Sequence, residues 1–323
     1  MKGKKTFDVL VVGELNIDLI LNHIGGFPQM GKEILAGEMT VTLGSSSAIF
    51  ANNLSILGTK VSYLGKVGKD QFAAQVFSAL EASGVDVSQI IATPHFQTGL
   101  TVAMNYENDR AMVTYPGAMN DLSIADITDE ALGSASHMHV SSVFLQEGLK
   151  PDVVMLFRRA KGLGLTTSLD PQWDPHERWD VDLQHLLPFV DVFLPNAGEL
   201  EQFTGCRTIE EALAAIRGFC HAVVVKNGVD GAVMWDETGL VRQPAFLNSQ
   251  VVDAIGAGDS FNSGFIHKYT LHRPLSECLE FAALTGAINT TAAGGTSAFQ
   301  SMEQVTAIAG ERFNFKIAYE AAE

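Results

Sequence analysis

The stretch NSQVVDAIGAGDSFNSGFIHKYTL, Asn248 to Leu271, decides how the rest of the chain is read. Val251 and Val252 suit the end of a buried strand, and from Asp259 onward Phe261, Phe265, Ile266 and Tyr269 recur at helical spacing. Gly256, Ala257 and Gly258 then fall in a strand-to-helix turn. At such a turn bare backbone N–H groups converge on an anion, and the helix dipole adds partial positive charge at the same point. An acid there, Asp259, would repel the anion that the turn is built to hold. Either Asp259 is placed for chemistry beside a bound anion, or it caps the helix behind a tight glycine turn.

Composition narrows the classes. The 323 residues suffice for one large α/β domain, or a core with a smaller appendage, around an ample hydrophobic interior. Three cysteines, Cys206, Cys220 and Cys278, lack C-x-x-C spacing and an even count, so reduced thiols in a cytoplasmic protein are expected rather than a disulfide frame or a metal site. Lys4 and Lys5 lead into an apolar stretch broken by Asp8, Glu14, Asn16 and Asp18, which is not the pattern of a signal peptide. No apolar run reaches the roughly 18 residues of a membrane helix. A formal net charge of −16 argues against a nucleic-acid surface, so any phosphate has to be gripped locally.

Working outward from the opening stretch, DVLVVG reads as a first strand, followed by a strand over Glu14–Leu21 with Asn16 and Asp18 on one face and Leu15, Ile17 and Leu19 on the other. SSSAIFANNLSILG and DQFAAQVFSALEASGV read as helices ending at Gly58 and Gly84. GLTVAMNY and RAMVTYP, separated by ENDR, read as a hairpin. From HMHVSSV onward strands and helices alternate: PDVVMLFRRAKGLG, LTTSLDP, VDVFLPN, GELEQFTG, TIEEALAAIRGF, AVVVKNG, and the hairpin GAVMWDETGLVRQ. This order predicts an α/β fold, a mostly parallel sheet flanked by helices on both faces, with a small exposed β-sheet attached. The core takes residues 1–12, 44–96 and 117–323, and the small sheet takes 13–43 and 97–116. Gly26 to Lys32, GFPQMGK, imitates a phosphate loop, but Glu33 stands where a magnesium-binding hydroxyl is needed, so it reads as an ordinary loop. The first strand carries no G-x-G-x-x-G, and neither H-E-x-x-H nor G-x-S-x-G occurs.

Seven segments fall in a recognisable order: GELNID, GSSSAIFANNLSILG, GKVGKDQFAAQVFSALEASGVD, LDPQWDP, LPNAGELEQFTG, VVVKNGVDGAVM and DAIGAGDSF. Together they resemble the ribokinase-like (PfkB) carbohydrate kinase family over essentially the whole chain, and the closing segment matches its D-T-x-G-A-G-D signature except for Ala254. The resemblance implies an ATP-dependent phosphotransferase whose small sheet is a lid. It makes the amides of Gly256, Ala257 and Gly258 an anion hole for the γ-phosphoryl group and Asp259 the base that takes the proton of the acceptor hydroxyl. It also implies that Asn196 and Glu199 organise the Mg2+ shell, Glu199 through water. Lys226, Gly228 and Gly231 then lie near ATP, and Asn16 and Asp18 hold substrate hydroxyls. K+ beside the anion hole is an option through the backbone carbonyls of Asp253 and Ile255, with residues 292–298 opposite.

Each assignment has a plainer counterpart: Asn196 ending a strand, Glu199 favoured in a first helical turn, Gly231 serving a turn, Asn16 and Asp18 solvated on an open strand. The chain also departs from the family. Gly44 and Ser45 stand where a Gly-Gly pair is usual, Ile49 replaces an Asn that contacts a hydroxyl, Gln172 replaces the Asn of D-P-N, and Ala283 replaces an adenine-side Asn. Arg110, in the hairpin, either reaches over the substrate or is a solvated turn residue. The resulting expectation is a kinase acting on a primary hydroxyl of a sugar or sugar-like molecule, paired as a homodimer through the lid. A nucleoside kinase, favoured by Ile49 and Phe50, is the alternative within the class. A non-catalytic sugar- or nucleotide-binding relative is the rival outside it, and a nicotinamide oxidoreductase, lacking its glycine fingerprint, ranks third.

Overall fold

Strands apolar on both faces have to lie between two layers of helices, and Val9, Leu10, Val11 and Val12 are fully buried. The computed structural model describes residues 5–106 and 110–317. Its first half runs β1 (Phe7–Val12), β2 (Asn16–Asn22), β3 (Glu38–Leu43), α1 (Ser46–Ile56), β4 (Val61–Leu64), β5 (Lys66–Gly68), α2 (Gln71–Ala82), β6 (Ile91–Thr93), β7 (Gly99–Asn105) and β8 (Arg110–Tyr115). It continues with α3 (Asp129–Gly133), β9 (Ala135–Ser141), α4 (Val153–Gly162), β10 (Thr166–Asp170), α5 (Leu183–Leu186), β11 (Val192–Phe193), α6 (Ala197–Thr204) and α7 (Ile209–Ile216). The last elements are β12 (Ala222–Lys226), β13 (Ala232–Asp236), β14 (Gly239–Gln243), α8 (Ala257–Thr270), α9 (Leu275–Asn289) and α10 (Met302–Phe313).

The main sheet has the order β14-β13-β12-β11-β10-β9-β1-β4. It is parallel from β12 to β4, and the hairpin β13–β14 closes one edge antiparallel. Alternation along β1 divides the core. Leu10 and Val12 pack with Leu156 of α4, Leu200 of α6 and Leu213 of α7 on one face. On the other face, Val9 and Val11 pack with Phe50 of α1, Val76 of α2, Phe265 of α8 and Leu279 of α9. That second face also buries His137 and His139, whose ring nitrogens are all engaged by Thr166, Ser168 and Ser141, so these imidazoles are satisfied core groups. The expected fold class therefore holds: a mostly parallel sheet with helices on both faces.

The small sheet has the order β3-β2-β7-β8, with β2 and β7 parallel and the outer pairs antiparallel. Asp18 pairs with Thr42 and Thr101, and Thr101 with Thr114, which makes one face polar. Leu19 pairs with Val41 and Val102, and Val102 with Val113, which makes the other apolar. Glu107 to Asp109, within the expected ENDR turn, lie outside the described residues. Among the described residues no helix is long and apolar enough to cross a membrane.

One expectation in the deciding stretch is overturned. Val251 and Val252 end no strand: they are 61% and 62% exposed, in an extended loop between β14 and α8. The antiparallel hairpin already occupies that edge of the sheet, so the chain leaves it at Gln243 and reaches α8 from a loop. The strand expected over VDVFLPN likewise shrinks to Val192–Phe193.

Candidate active site

Parallel strands gather their carboxyl ends at one rim, and ligands of open α/β sheets bind outside it. Here Glu14 follows β1, Ser142 follows β9, Asp170 ends β10, Asn196 lies just beyond β11 and Lys226 ends β12. The polar face of the small sheet closes over this rim and leaves a cavity of about 840 Å³. Its lining joins Asn16, Asp18, Ser45 and Arg110 from the lid side to Asn196, Glu199, Lys226, Gly228, Gly256, Gly258 and Asp259. Gly231 lies elsewhere: at φ 89°, with a Cβ that would fall 2.0 Å from the Gln243 carbonyl, it shapes the entry to β13.

At the floor, Gly256 adopts φ 75° as the N-cap of α8. A Cβ there would lie 2.5 Å from Gly295 Cα, so only glycine fits both the dihedral and the space. The first amides of a helix have no intrahelical acceptor; in this turn Gly256 and Gly258 line the cavity, whereas the Ala257 N–H is taken by the Ala254 carbonyl at 3.2 Å. Asp259, in the first turn, is only 6% exposed. Burial and the charge of Asp170 hold its carboxyl well above the usual carboxylate range, against the pull of Lys226. Burial thus makes Asp259 a stronger base than an exposed carboxylate.

A buried polar network surrounds it. Asp170 accepts from Lys226 Nζ at 2.8 Å, from Gln172 Nε2 at 3.0 Å and from Asn262 Nδ2. Gln172 Nε2 also donates to Asp259 Oδ1 at 3.0 Å, tying the two carboxylates together. Lys226 Nζ would stand 3.7 Å from a Cβ at Gly258, so the ammonium sits against the glycine turn. Burial alone would lower the Lys226 pKa, but the charges of Asp170 and Glu199 outweigh it and the pKa is raised. Sequence reasoning quoted Asp170 and Gln172 as a strand end and omitted Asn262. The available signal was a polar residue, Asn262, one helical turn from Asp259 amid an apolar helix face.

Asn196 and Glu199 form a reciprocal cap on α6: Glu199 N donates to Asn196 Oδ1 at 2.8 Å, and Asn196 N to Glu199 Oε2 at 2.8 Å. Burial and the negative charge of Asp170 push Glu199 up to about 7, with Lys226 opposing. Asp170, Glu199 and Asp259 thus surround a single buried ammonium. An excess of buried carboxylates over cations fits a hydrated Mg2+ that arrives with phosphate ligands and is held through one protein acid. Among the described residues no cluster forms an all-protein metal cage.

The lid end is equally built. Asn16 Nδ2 donates to Asp18 Oδ1 at 2.9 Å and to Thr101 Oγ1 at 3.0 Å, so Asn16 orients Asp18. Gly44 makes room for both, since a Cβ there would lie 2.2 Å from Asp18 Oδ1. Burial pushes Asp18 up to about 6, eased by Asn16 and the charge of Arg110. Ser45 holds φ 69° through Oγ, which donates to the Glu14 carbonyl at 2.6 Å. Glu14 itself, 1% exposed and on the cavity wall, was not foreseen; its signal was a carboxylate directly after an apolar strand. Ile49 lines the cavity, whereas Phe50 lies behind it, stacked on His139 at 3.8 Å. Beside the glycine turn, Asp253 accepts from Ile255 N and Gly294 N at 2.9 Å each, and the Ile255 carbonyl accepts from Asn289 Nδ2 at 2.6 Å.

Residues 6–302 match the family model described as pfkB family carbohydrate kinase. The chain is 26% identical over 319 residues to the 5-dehydro-2-deoxygluconokinase of Geobacillus kaustophilus, covering 94% of this chain and 93% of that one. It is 28% identical over 304 residues to the deoxyribokinase of Salmonella typhi, covering 92% and 97%. Its fold superposes on the ribokinase of Arabidopsis thaliana complexed with ribose and ATP with a TM-score of 0.81, at 23% identity over 93% of this chain and 97% of the other.

Proposed function

The chain belongs to the pfkB family of carbohydrate kinases, and from that premise we propose that it transfers the γ-phosphoryl group of ATP to a primary hydroxyl of a sugar or sugar-like molecule. The acceptor lies under the small sheet, with Asp18 and Asn16 receiving its hydroxyls, and Asp259 takes the proton from the attacking oxygen. The glycine turn and the Lys226 ammonium face the equatorial oxygens of the transferring group, where charge is spread; Gly256 and Gly258 line the cavity, and the Ala257 N–H would have to leave the Ala254 carbonyl to join them. Glu199, oriented by Asn196, would hold a Mg2+ through water, and that ion would supply charge neutralisation at the phosphates. Gly228 borders the nucleotide. K+ fits the loop that Asp253 ties to residues 292–298, although the Asn289 hydrogen bond already occupies part of the Ile255 carbonyl.

The observation that carries this reading is the placement of a buried carboxyl with a raised pKa, Asp259, at the foot of the cavity, on the glycine turn and within the field of Lys226. Asp170, Gln172 and Asn262 support it by fixing Lys226 and Asp259 relative to each other. A nucleoside acceptor is the second reading, favoured by Ile49 on the cavity wall. Free Cys206, Cys220 and Cys278 suit a cytoplasmic setting. Measuring ATP consumption over a panel of sugars and nucleosides tests the proposal. Turnover with one of them is expected, and binding of ATP with no turnover on any member points instead to a non-catalytic relative.

A further inference from the structure

The segment that follows Asp170 is built more rigidly than a loop needs to be. Asp174, 2% exposed, gathers the N–H groups of His176, Arg178 and Trp179 at 2.8–2.9 Å. Gln172 and Trp179 both hold positive φ, 58° and 51°, which non-glycine residues keep only when their surroundings over-determine them. Trp179 is locked edge-to-face against Phe144 and Phe203, at 5.4 and 5.0 Å between centroids. Upon it stands Trp173, again edge-to-face at 5.0 Å and 86°, yet Trp173 is 47% exposed and lines the cavity. A large aromatic side chain packed edge-to-face on a locked neighbour and half exposed inside a cavity is a surface suited to a ring.

Its position selects which end of the cavity it serves. Gln172, the preceding residue, touches Asp259, so Trp173 lies close to the reacting hydroxyl. The supports of Trp173 lead toward the lid: Trp179 packs on Phe144, and Glu147 N, three residues on, donates at 3.5 Å to Asn120 Oδ1, in the turns that follow β8. Glu199, in the first turn of α6, and Lys226, at the end of β12, come from other elements, although Lys226 meets the β10 end at Asp170. Acid groups predominate at the lid end, with Asp18 and Glu147 on the wall beside Glu14, whose pKa burial raises, and the charge of Arg110 already acts on Asp18. An anionic acceptor would meet net repulsion there.

We propose that Trp173 is the stacking platform for the ring of the acceptor, and that the acceptor is an uncharged cyclic compound, a neutral sugar or a nucleoside, rather than a sugar acid or sugar phosphate. The proposal rests on the kinase reading only for naming its ligand an acceptor. The test uses the full chain and the probes D-ribose, 2-deoxy-D-ribose, D-fructose, cytidine and adenosine, against the anions D-gluconate and ribose 5-phosphate. Trp173, Trp179 and Trp235 are the only tryptophans, so binding is read without nucleotide from intrinsic emission, with Trp235→Phe as a control.

Two substitutions that both keep apolar bulk against Trp179 separate stacking from packing. Trp173→Leu is expected to raise KM and the dissociation constant of the best neutral probe about tenfold with kcat within about twofold, while Trp173→Phe stays within about threefold of the parent. Emission of Trp173→Phe should no longer respond to the probe, whereas that of Trp235→Phe should. Equal KM values for the Leu and Phe variants, preference for an anionic probe, or no binding by any neutral probe overturns the proposal. Binding that depends on Trp173 with no ATP consumed keeps the platform and removes the kinase reading. ATP turnover indifferent to Trp173→Leu does the reverse.

Discussion

Asp18 and Asp259 are both buried carboxylates at one cavity, and their neighbours give them different work. Asp18 is oriented by Asn16 at the lid end; on the proposed reading it contacts hydroxyls away from the reacting centre, and such contacts persist from ground state to transition state. Asp18→Ala should therefore raise KM and leave kcat nearly unchanged. Two hydrogen bonds to an ionised carboxylate are worth roughly 3–6 kcal/mol, so the rise should be about a hundredfold or more. The pKa near 6 adds a pH signature, since hydroxyls donate to the ionised form, which is lost as pH falls through that value. KM for the acceptor should climb below about pH 6, and Asp18→Asn should flatten that rise. A pH-independent KM in the parent enzyme would remove Asp18 from the recognition surface. Glu199 allows a similar separation. Glu199→Gln keeps one acceptor for the Asn196 N–H, gives up the second that takes Asn196 Nδ2, and loses the charge proposed to hold a hydrated cation. The Mg2+ concentration for half-maximal activity should rise severalfold with little change in melting temperature; a fall in stability alone would leave Glu199 as a cap.

At the scale of elements, the glycine turn into α8 sets the site, and its geometry makes a contrast between two glycines. Gly256→Ala meets both a left-handed φ and the Gly295 backbone at 2.5 Å, so the turn has to shift. Gly228→Ala meets only the dihedral, at φ 55°, with open space around it. The first should lower kcat at least about tenfold along with the melting temperature, and the second should cost about 1 kcal/mol of stability with kcat largely kept. Similar kcat losses in both would mean that the turn does not position the transferring group. The helix period from Phe261 to Tyr269 and the turn glycines were legible in the sequence because local steric rules fix both. The strand expected at Val251 and Val252 was not, because only the tertiary sheet, with its edge taken by β13 and β14, decides that two adjacent valines stay exposed. The same holds for the site. The acids on recognisable motifs, Asp259 and Glu199, could be named in advance, whereas Glu14, Gln172 and Trp173 acquire meaning only when the ends of β1 and β10 meet at one rim.

For the molecule as a whole, the proposed division gives the phosphoryl chemistry to the core and the acceptor contacts to the small sheet; Ile17 and Leu43 join the core at one end of the sheet's apolar face, and the rest of that face is exposed. Met39, Val113 and Tyr115 on it are 63%, 63% and 48% exposed, in line with Leu19 and Val102, and a sheet with one bare apolar face is poorly stable in water without cover. A second copy pairing lid to lid is the proposed cover; light scattering should then give twice the 34.7 kDa chain mass at micromolar concentration, and Val113→Glu should yield monomers. A strict monomer in the parent protein would contradict it. Lid and core meet at Asp259, so the account depends on that carboxylate more than on any other group. The most direct measurement is single-acceptor kinetics of Asp259→Asn beside the parent enzyme, with ATP binding followed in the same preparations. A fall in kcat of roughly two to four orders of magnitude, with folding and ATP affinity kept, is the predicted result. A kcat within about threefold of the parent would contradict the base assignment and leave Asp259 as a buried structural carboxylate held by Gln172, since Gly256 and not Asp259 is the N-cap of α8.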